Sequence, residues 1–230
     1  MGYEIRPAWV CKEYAAYPPY SYSTHTPWRE PWFEEIYGKI KDKTVVTEDR
    51  AYLLHQFFRH AMHQDGDFAE CGVYKGGTAY LAADTLSRHS SRSKRLHLFD
   101  TFSGMPALAK QDTGGHNEGD FGDISLEAVK NYLQPFSFID FHPGLIPETL
   151  EQAKDKKFSF VHIDVDLYQT AKDCCEFFYN RMTPGGVMIF DDYGFPGYKF
   201  AEKRAVDEFF NGKPESPISL RTGQCLVLKV

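Results

Sequence analysis

No apolar run in this 230-residue chain approaches the ~20 residues needed to cross a bilayer. The first twenty residues, MGYEIRPAWVCKEYAAYPPY, hold no continuous apolar stretch, so the sequence carries no secretory signal. Arg6 stands where a myristoylation motif after Gly2 wants Ser or Thr. The chain therefore reads as soluble and cytoplasmic. Cysteine is sparse and odd in number: Cys11, Cys71, Cys174, Cys175 and Cys225 make no C-x-x-C pair. That pattern argues against a zinc site or a disulfide framework and for buried thiols in a reducing compartment. The nine histidines include no H-x-x-x-H or H-E-x-x-H spacing, which removes zinc-peptidase chemistry. Positive charge is short as well. With 26 Lys and Arg against 32 Asp and Glu the net charge is −6, which argues against nucleic acid or an anionic membrane as partner. The one basic knot, "RHSSRSKR" at 88–95, reads as a solvated connection.

What is present is 42% hydrophobic residues, enough for one packed domain of this length. Residues 1–45 are dense in Tyr, Trp and Pro ("YPPYSYSTHTPWREPWFEEIYGKI"), which predicts an irregular or short-helix N-terminal arm. It either packs on the domain or a second subunit, or serves as a lid over a ligand pocket. Residues 46–230 alternate in pattern. Ala51, Leu54, Phe57, Phe58 and Ala61 recur at helical spacing from Glu48. Strands are predicted at 68–73, 95–100, 136–142, 158–165 and 187–190, and helices at 76–89, 125–133, 147–153, 170–182 and 198–212. Asp123 or Ser125 caps the 125–133 helix; Thr170 and Asp173 stand at capping-box spacing in the next long one. "TPGG" at 183–186 is a stop-and-turn signal, and 217–221 with 225–230 form a closing hairpin. A Gly-, Asp- and Asn-rich stretch at 109–123 is too long for an ordinary connector. Strands alternating with helices predict an α/β fold: a doubly wound, mostly parallel seven-stranded sheet, helices on both faces, and a C-terminal antiparallel hairpin.

In such sheets ligands bind outside the carboxyl ends of the strands, and the notable polar residues of this chain fall there. "ECGVYKGG" (70–77) turns sharply on Gly72, Gly76 and Gly77; this is either a close-approach site for a ligand or a tight turn alone. It lacks the G-x-G-x-x-G and G-K-[ST] spacings of dinucleotide and phosphate loops. Asp100, ending a strand in "LFDTFSG", either accepts hydrogen bonds from ribose hydroxyls or caps the next segment. "FVHIDVDLYQT" carries Asp164 and Asp166 past an apolar strand, and "GGVMIFDDYG" carries Asp191 and Asp192 past the next. Alternation would set His162, Asp164 and Asp166 on one face. Unpaired dry carboxylates are costly and repel one another. A divalent cation removes both penalties, and all-oxygen ligation favours Mg²⁺, Mn²⁺ or Ca²⁺; salt bridges and helix caps are the other solution. His162 reads first as a satisfied core histidine.

Taken together and in order, "ECGVYKGG", "LFDTFSGMP", "GDFGDISLEAV", "HIDVDLYQT", "PGGVMIFDDYG" and "KRAVDEFF" resemble the macrocin O-methyltransferase family over roughly 47–210. The resemblance implies a class I, Rossmann-like methyltransferase domain at 46–230 that uses S-adenosylmethionine and Mg²⁺ to methylate a sugar hydroxyl in natural-product biosynthesis. Its acceptor is a small molecule, a sugar or glycosylated metabolite, and the aromatic arm suggests a homodimer or higher homo-oligomer. It implies Asp164, Asp191 and Asp192 as metal ligands and Asp166 as general base. Glu70, Gly72 and the turn through Tyr74, Gly76, Gly77 and Thr78 would hold the methionine end of the cofactor. Asp100 would hold the ribose, with Thr101 and Ser103 nearby, and Asp120 and Asp123 approach the adenosine or cap a helix. Ser103 replaces the acid expected there. Two alternatives stay open: methylation of a catechol-like phenol, and a D-x-D glycosyltransferase.

Overall fold

A computed structural model describes residues 27–90, 93–109, 112 and 115–230. Most of the aromatic arm and Cys11 lie outside them. Along Asp67–Cys71 (β1), Phe68 packs into one core cluster while Ala69 and Cys71 pack into another, on the opposite face. A strand buried on both faces reads as one apolar run, the mark of a sheet covered on both sides. Leu96–Asp100 (β2), Ile139–Pro143 (β3), Phe158–Ile163 (β4) and Met182–Phe190 (β5) join it in parallel, and Ile218–Ser219 (β6) with Cys225–Leu228 (β7) add the antiparallel hairpin. The seven strands lie in the order β3-β2-β1-β4-β5-β7-β6.

Pro31–Ile40 (α1), Glu48–Ala61 (α2), Gly77–His89 (α3) and Leu126–Tyr132 (α4) supply one core; Tyr168–Tyr179 (α5) and Glu202–Phe210 (α6) supply the other. The α1 segment, expected to be irregular or short-helical, is a ten-residue helix opened by a proline at its first turn, with Phe33 and Ile40 fully buried. Among the described residues no helix is long and apolar enough to cross a membrane.

Three local expectations change and one holds. The 183–186 segment is a bulge inside β5, not a stop. Phe158 pairs with Met182 and Phe160 with Val187, and Gly185 N–H donates to the Lys229 carbonyl at 2.7 Å. The α5 helix begins at Tyr168, two residues early, because Asp112 of the long loop reaches in and its Oδ1 accepts from Tyr168 N–H at 2.8 Å. Asp173 instead accepts from the Gln169 amide. Of the two expected caps of α4, Ser125 is the one used and bears that expectation out, accepting from Ala128 N–H at 3.2 Å. The last long helix spans only Glu202–Phe210, and a separate 3₁₀ turn at Pro196–Tyr198 precedes it.

Candidate active site

The strand order reverses between β1 and β4, and the chain splays there to open a cavity of about 480 Å³ at the carboxyl ends of the parallel strands. Gly72 and Tyr74 enter it from the loop after β1, Asp100, Thr101, Met105 and Pro106 from the loop after β2, and Leu145 and Ile146 from that after β3. Asp164 and Asp166 enter after β4, and Asp192, Phe195 and Tyr198 after β5. Gly72 has φ +84°, and a Cβ there would overlap the Asp164 carbonyl oxygen. Asp164 N–H in turn donates to the Cys71 carbonyl, and Asp191 N–H to that of Ile163, both at 2.9 Å. The glycine turn and both acidic strand ends are thus built as one piece.

The acids diverge in their surroundings. Asp191 is fully buried: its Oδ1 accepts from Gln224 Nε2 at 2.7 Å and lies 3.3 Å from His162 Nε2, and Oδ2 pairs with Arg50. Burial alone would raise this carboxyl, but the His162 hydrogen bond and the Arg50 charge outweigh it and hold Asp191 below its ordinary value. His162 has both ring nitrogens against carboxylates, the second at 2.9 Å from Glu70 Oε1. Burial works against its charge, yet the two carboxylates win and push it up to about 10. Asp164 and Asp192 face the cavity without such partners. Burial first, then mutual repulsion with neighbouring acids, drives both well above the ordinary carboxylate range. Glu202 joins them. It is fully buried, its Oε1 accepts from Asp192 N–H at 3.0 Å, and its carboxyl is raised by burial and by Asp164.

Two carboxylate oxygens, Glu70 Oε2 and Glu202 Oε2, are buried with no hydrogen-bond partner among the described residues. Such orphans are costly unless a cation or proton meets them. His162, Asp164 and Asp191 each offer one ligand atom, all within 4.8 Å of one another. A cation fits this set, and Asp192, expected as a third carboxylate ligand, lies outside it.

Asp166 breaks the alternation expected of it, because β4 ends at Ile163. It sits at φ +62° in a three-residue turn closed by Leu167 N–H to the Val165 carbonyl at 2.6 Å. Its Oδ1 lies 3.3 Å from His116 Nε2, and that nitrogen is 2.6 Å from Tyr198 Oη. The nearby Asp166 carboxylate is the main cause raising His116 above its usual value.

Asp100 caps the segment that follows it and also ties back to the turn after β1. Its Oδ2 accepts from the Val73 and Tyr74 amides at 2.6 and 3.1 Å, and its Oδ1 from the Phe102 amide at 2.6 Å. Thr101 Oγ1 also lies 3.5 Å from Oδ1, but its one proton has the shorter bond to the Gly104 carbonyl at 2.6 Å, so one of the about four acceptor sites of the carboxylate stays open to a hydroxyl. Gly76, Gly77 and Thr78 are buried: a Cβ at Gly77 would press on Lys43 and Thr44, and one at Gly76 on Val129. Ser103 is exposed, beside a second cavity of about 420 Å³ that it shares with Thr101 and Glu118. Asp120 and Asp123 hold the long loop. Asp120 Oδ2 accepts from Asn117 N–H at 2.8 Å, and Asp123 accepts from Tyr74 Oη at 3.0 Å and pairs with Lys75.

Arg50, His116, Tyr198, Glu202 and Gln224 were absent from the sequence expectations. Glu202 and Arg50 left a signal, each a charge on an apolar stripe, the first with Ala205, Val206 and Phe210 and the second with Leu54, Phe58 and Ala61.

A model of the Macrocin-O-methyltransferase (TylF) family matches residues 41–215. An 8-demethyl-8-(2,3-dimethoxy-alpha-L-rhamnosyl)-tetracenomycin-C 4'-O-methyltransferase of Streptomyces olivaceus is 29% identical over 138 residues, 56% of this chain and 53% of that protein. A mycinamicin III 3''-O-methyltransferase of Micromonospora griseorubida is 28% identical over 156 residues, 63% of this chain and 60% of that protein. The chain thus spans little more than half the length of these relatives. The solved structure of the O-methyltransferase NovP superposes with a TM-score of 0.70 at 22% identity, covering 82% of each chain, and carries the fold. These matches set aside the D-x-D glycosyltransferase alternative, and the chain belongs to the macrocin O-methyltransferase family.

Proposed function

We propose that this protein transfers the methyl of S-adenosylmethionine to a hydroxyl of a sugar on a small glycosylated metabolite, with a divalent cation, Mg²⁺ or else Mn²⁺ or Ca²⁺, at the acidic strand ends. The observation that carries the reading is the meeting of Asp164, Asp166 and Asp192 in one cavity with the Gly72 turn and Asp100. Relatives named for methylating sugar oxygens support the acceptor class.

Asp164, Asp191 and Asp192 would hold the cation, with Asp191 behind the two cavity-facing acids. His162 is the poorer ligand, since both its nitrogens already face carboxylates. Glu70, with its unpartnered Oε2, and the turn from Gly72 to Thr78 would receive the ammonium and carboxylate of the methionine end. The last acceptor site of Asp100 would take a ribose hydroxyl, with Thr101 and Ser103 beside it and Asp120 and Asp123 fixing the loop nearby. When bound, S-adenosylmethionine supplies an electrophilic methyl and the cation supplies Lewis-acid polarisation of the acceptor oxygen. Asp166 accepts the hydroxyl proton as general base. Phe121, Leu145, Ile146, Phe195, Pro196 and Tyr198 line the cavity; the first three would exclude water and the last three would flank the acceptor. The aromatic arm would complete the acceptor pocket or a subunit contact.

Calorimetry with S-adenosylhomocysteine, with and without Mg²⁺, tests the cofactor assignment. Turnover on free rhamnosides, nucleotide-activated rhamnose and a catechol tests the acceptor. Chelation is expected to abolish methylation and Mg²⁺ to restore it. Full activity in metal-free enzyme refutes the cation, and turnover of catechol alone refutes the sugar.

A further inference from the structure

One group in the site has no part in the chemistry above: the imidazole of His116. It arrives from the long loop, yet it is held as firmly as a core side chain. Its ring lies nearly parallel to that of Tyr198, centroids 5.6 Å apart and planes 25° apart, and tilts against Phe121 at 5.3 Å. Its Nε2 is 2.6 Å from Tyr198 Oη and 3.3 Å from Asp166 Oδ1, and its Nδ1 is 3.6 Å from Asp120 Oδ2. The Asp166 and His116 side chains are only 14% and 18% exposed. The loop on the far side of His116 is tied to the fold by Met105 N–H to the Asp120 carbonyl at 2.7 Å and Gly119 N–H to the Met105 carbonyl at 2.9 Å.

Asp166 needs such a partner. It stands at φ +62° at the centre of the three-residue turn, so the regular strand does not fix its side chain. The neighbouring acids Asp164 and Asp192 repel it. The His116 imidazole, 3.3 Å from Oδ1 and itself seated against Tyr198, is the contact that can hold the carboxylate in one orientation.

We propose that His116 is a positioning residue for Asp166: clasped by Tyr198, its imidazole sets the orientation in which the Asp166 carboxylate meets the acceptor hydroxyl. The inference rests on Asp166 acting as the base. Misplacing a reacting group by about 1 Å costs on the order of 100-fold in rate, and this sets the expected effect.

The test uses His116→Ala, His116→Gln and Tyr198→Phe, each in the wild-type and Asp166→Asn backgrounds. Single-turnover rates are read with saturating S-adenosylmethionine and Mg²⁺ on the rhamnoside of the panel above that turns over. His116→Ala is expected to lower kcat about 10- to 100-fold with the S-adenosylhomocysteine Kd within about twofold. His116→Gln, which keeps a side-chain N–H, regains part of the loss, and Tyr198→Phe falls between. In the Asp166→Asn background the same substitutions cost less than about twofold more, since the group they position is gone. Unchanged kcat, a loss confined to KM, or equal losses in both backgrounds overturns the proposal. A second reading needs no acceptor. In ¹⁵N-histidine-labelled protein with S-adenosylhomocysteine and Mg²⁺, the His116 Nε2 resonance, assigned with His116→Gln, is expected to move on Asp166→Asn; a resonance that stays put overturns the contact. Full activity of Asp166→Asn removes the base assignment and this inference with it. An impaired Asp166→Asn beside an unimpaired His116→Ala removes this inference alone.

Discussion

Arg50 of α2 and Asp191 after β5 stand 141 residues apart and form an ion pair with side chains 10% and 0% exposed. Arg50 also donates to the Val45 carbonyl at 2.9 Å and lies over the Phe195 ring at 5.3 Å. It is a positive charge placed behind an acidic cluster. Removing one partner of a buried pair leaves the other uncompensated, which costs about 3–5 kcal/mol. Arg50→Met is therefore expected to lose about that much stability in chelator, by urea denaturation, and to regain part of it in millimolar Mg²⁺ by mass action. Equal stability with and without Arg50 would falsify the pairing.

Gly72→Ala tests the single-piece construction of the site. The new Cβ would overlap the Asp164 carbonyl, and φ +84° disfavours any L side chain. The expected result is a folded protein, by circular dichroism, that is destabilised by roughly 2–3 kcal/mol. Titrations with S-adenosylhomocysteine and with Mg²⁺ should both weaken more than tenfold. Loss of one ligand with the other unaffected contradicts the shared backbone contact.

Cation binding should be linked to pH. Asp164, Asp192 and Glu202 are raised above the ordinary range, each first by burial. Protons must leave them as the cation enters, so Mg²⁺ affinity is expected to keep climbing above pH ~5, where ordinary carboxylates are fully ionised. Calorimetry in two buffers of different ionisation enthalpy reads the released protons. A flat affinity with no proton release excludes these carboxyls.

His162 makes the opposite prediction for folding. Its value in the fold, about 10, lies above the ordinary histidine value of 6.5. Its contribution is thus complete below pH 6.5 and is lost as pH rises toward 10. Metal-free protein should lose up to ~1.4 kcal/mol per pH unit within that window from this one proton. His162→Gln should flatten that slope, as measured by denaturation at a series of pH values. An unchanged slope assigns the proton elsewhere.

Asp112 anchors the long loop to the start of α5 through the Tyr168 amide at 2.8 Å. Asp112→Ala is expected to cost about 1 kcal/mol, as helix-cap losses do, and to speed hydrogen exchange at 115–121. Unaltered exchange there means the anchor holds nothing.

Much of this site was legible because acids that end apolar strands violate the binary pattern openly. Asp100, Asp164, Asp191 and Asp192 each interrupt such a run, and the alternation of strands and helices placed them at one end of the sheet. The partners were hidden for a different reason. His116 lies in the long loop and Gln224 in the turn before β7, where no periodicity points to a site, and Arg50 lies in α2, 141 residues before the acid it meets. The α5 boundary failed likewise: Thr170 and Asp173 have cap spacing, but a loop residue 56 positions before Tyr168 supplies the acceptor. Asp166 was misplaced because alternation was carried past the last paired residue of β4.

The insertion of β7 between β5 and β6 has a consequence in time. A chain emerging from its N-terminus exposes Arg50 long before Asp191, but Gln224 follows 33 residues later, and β5 lacks its antiparallel neighbour until then. A nascent domain would hold its acids against a one-sided sheet whose open rim invites other strands. The pairing of β7 that brings Gln224 to Asp191 is thus the same event that covers the open edge of β5, leaving the two-residue β6 at that rim of the sheet.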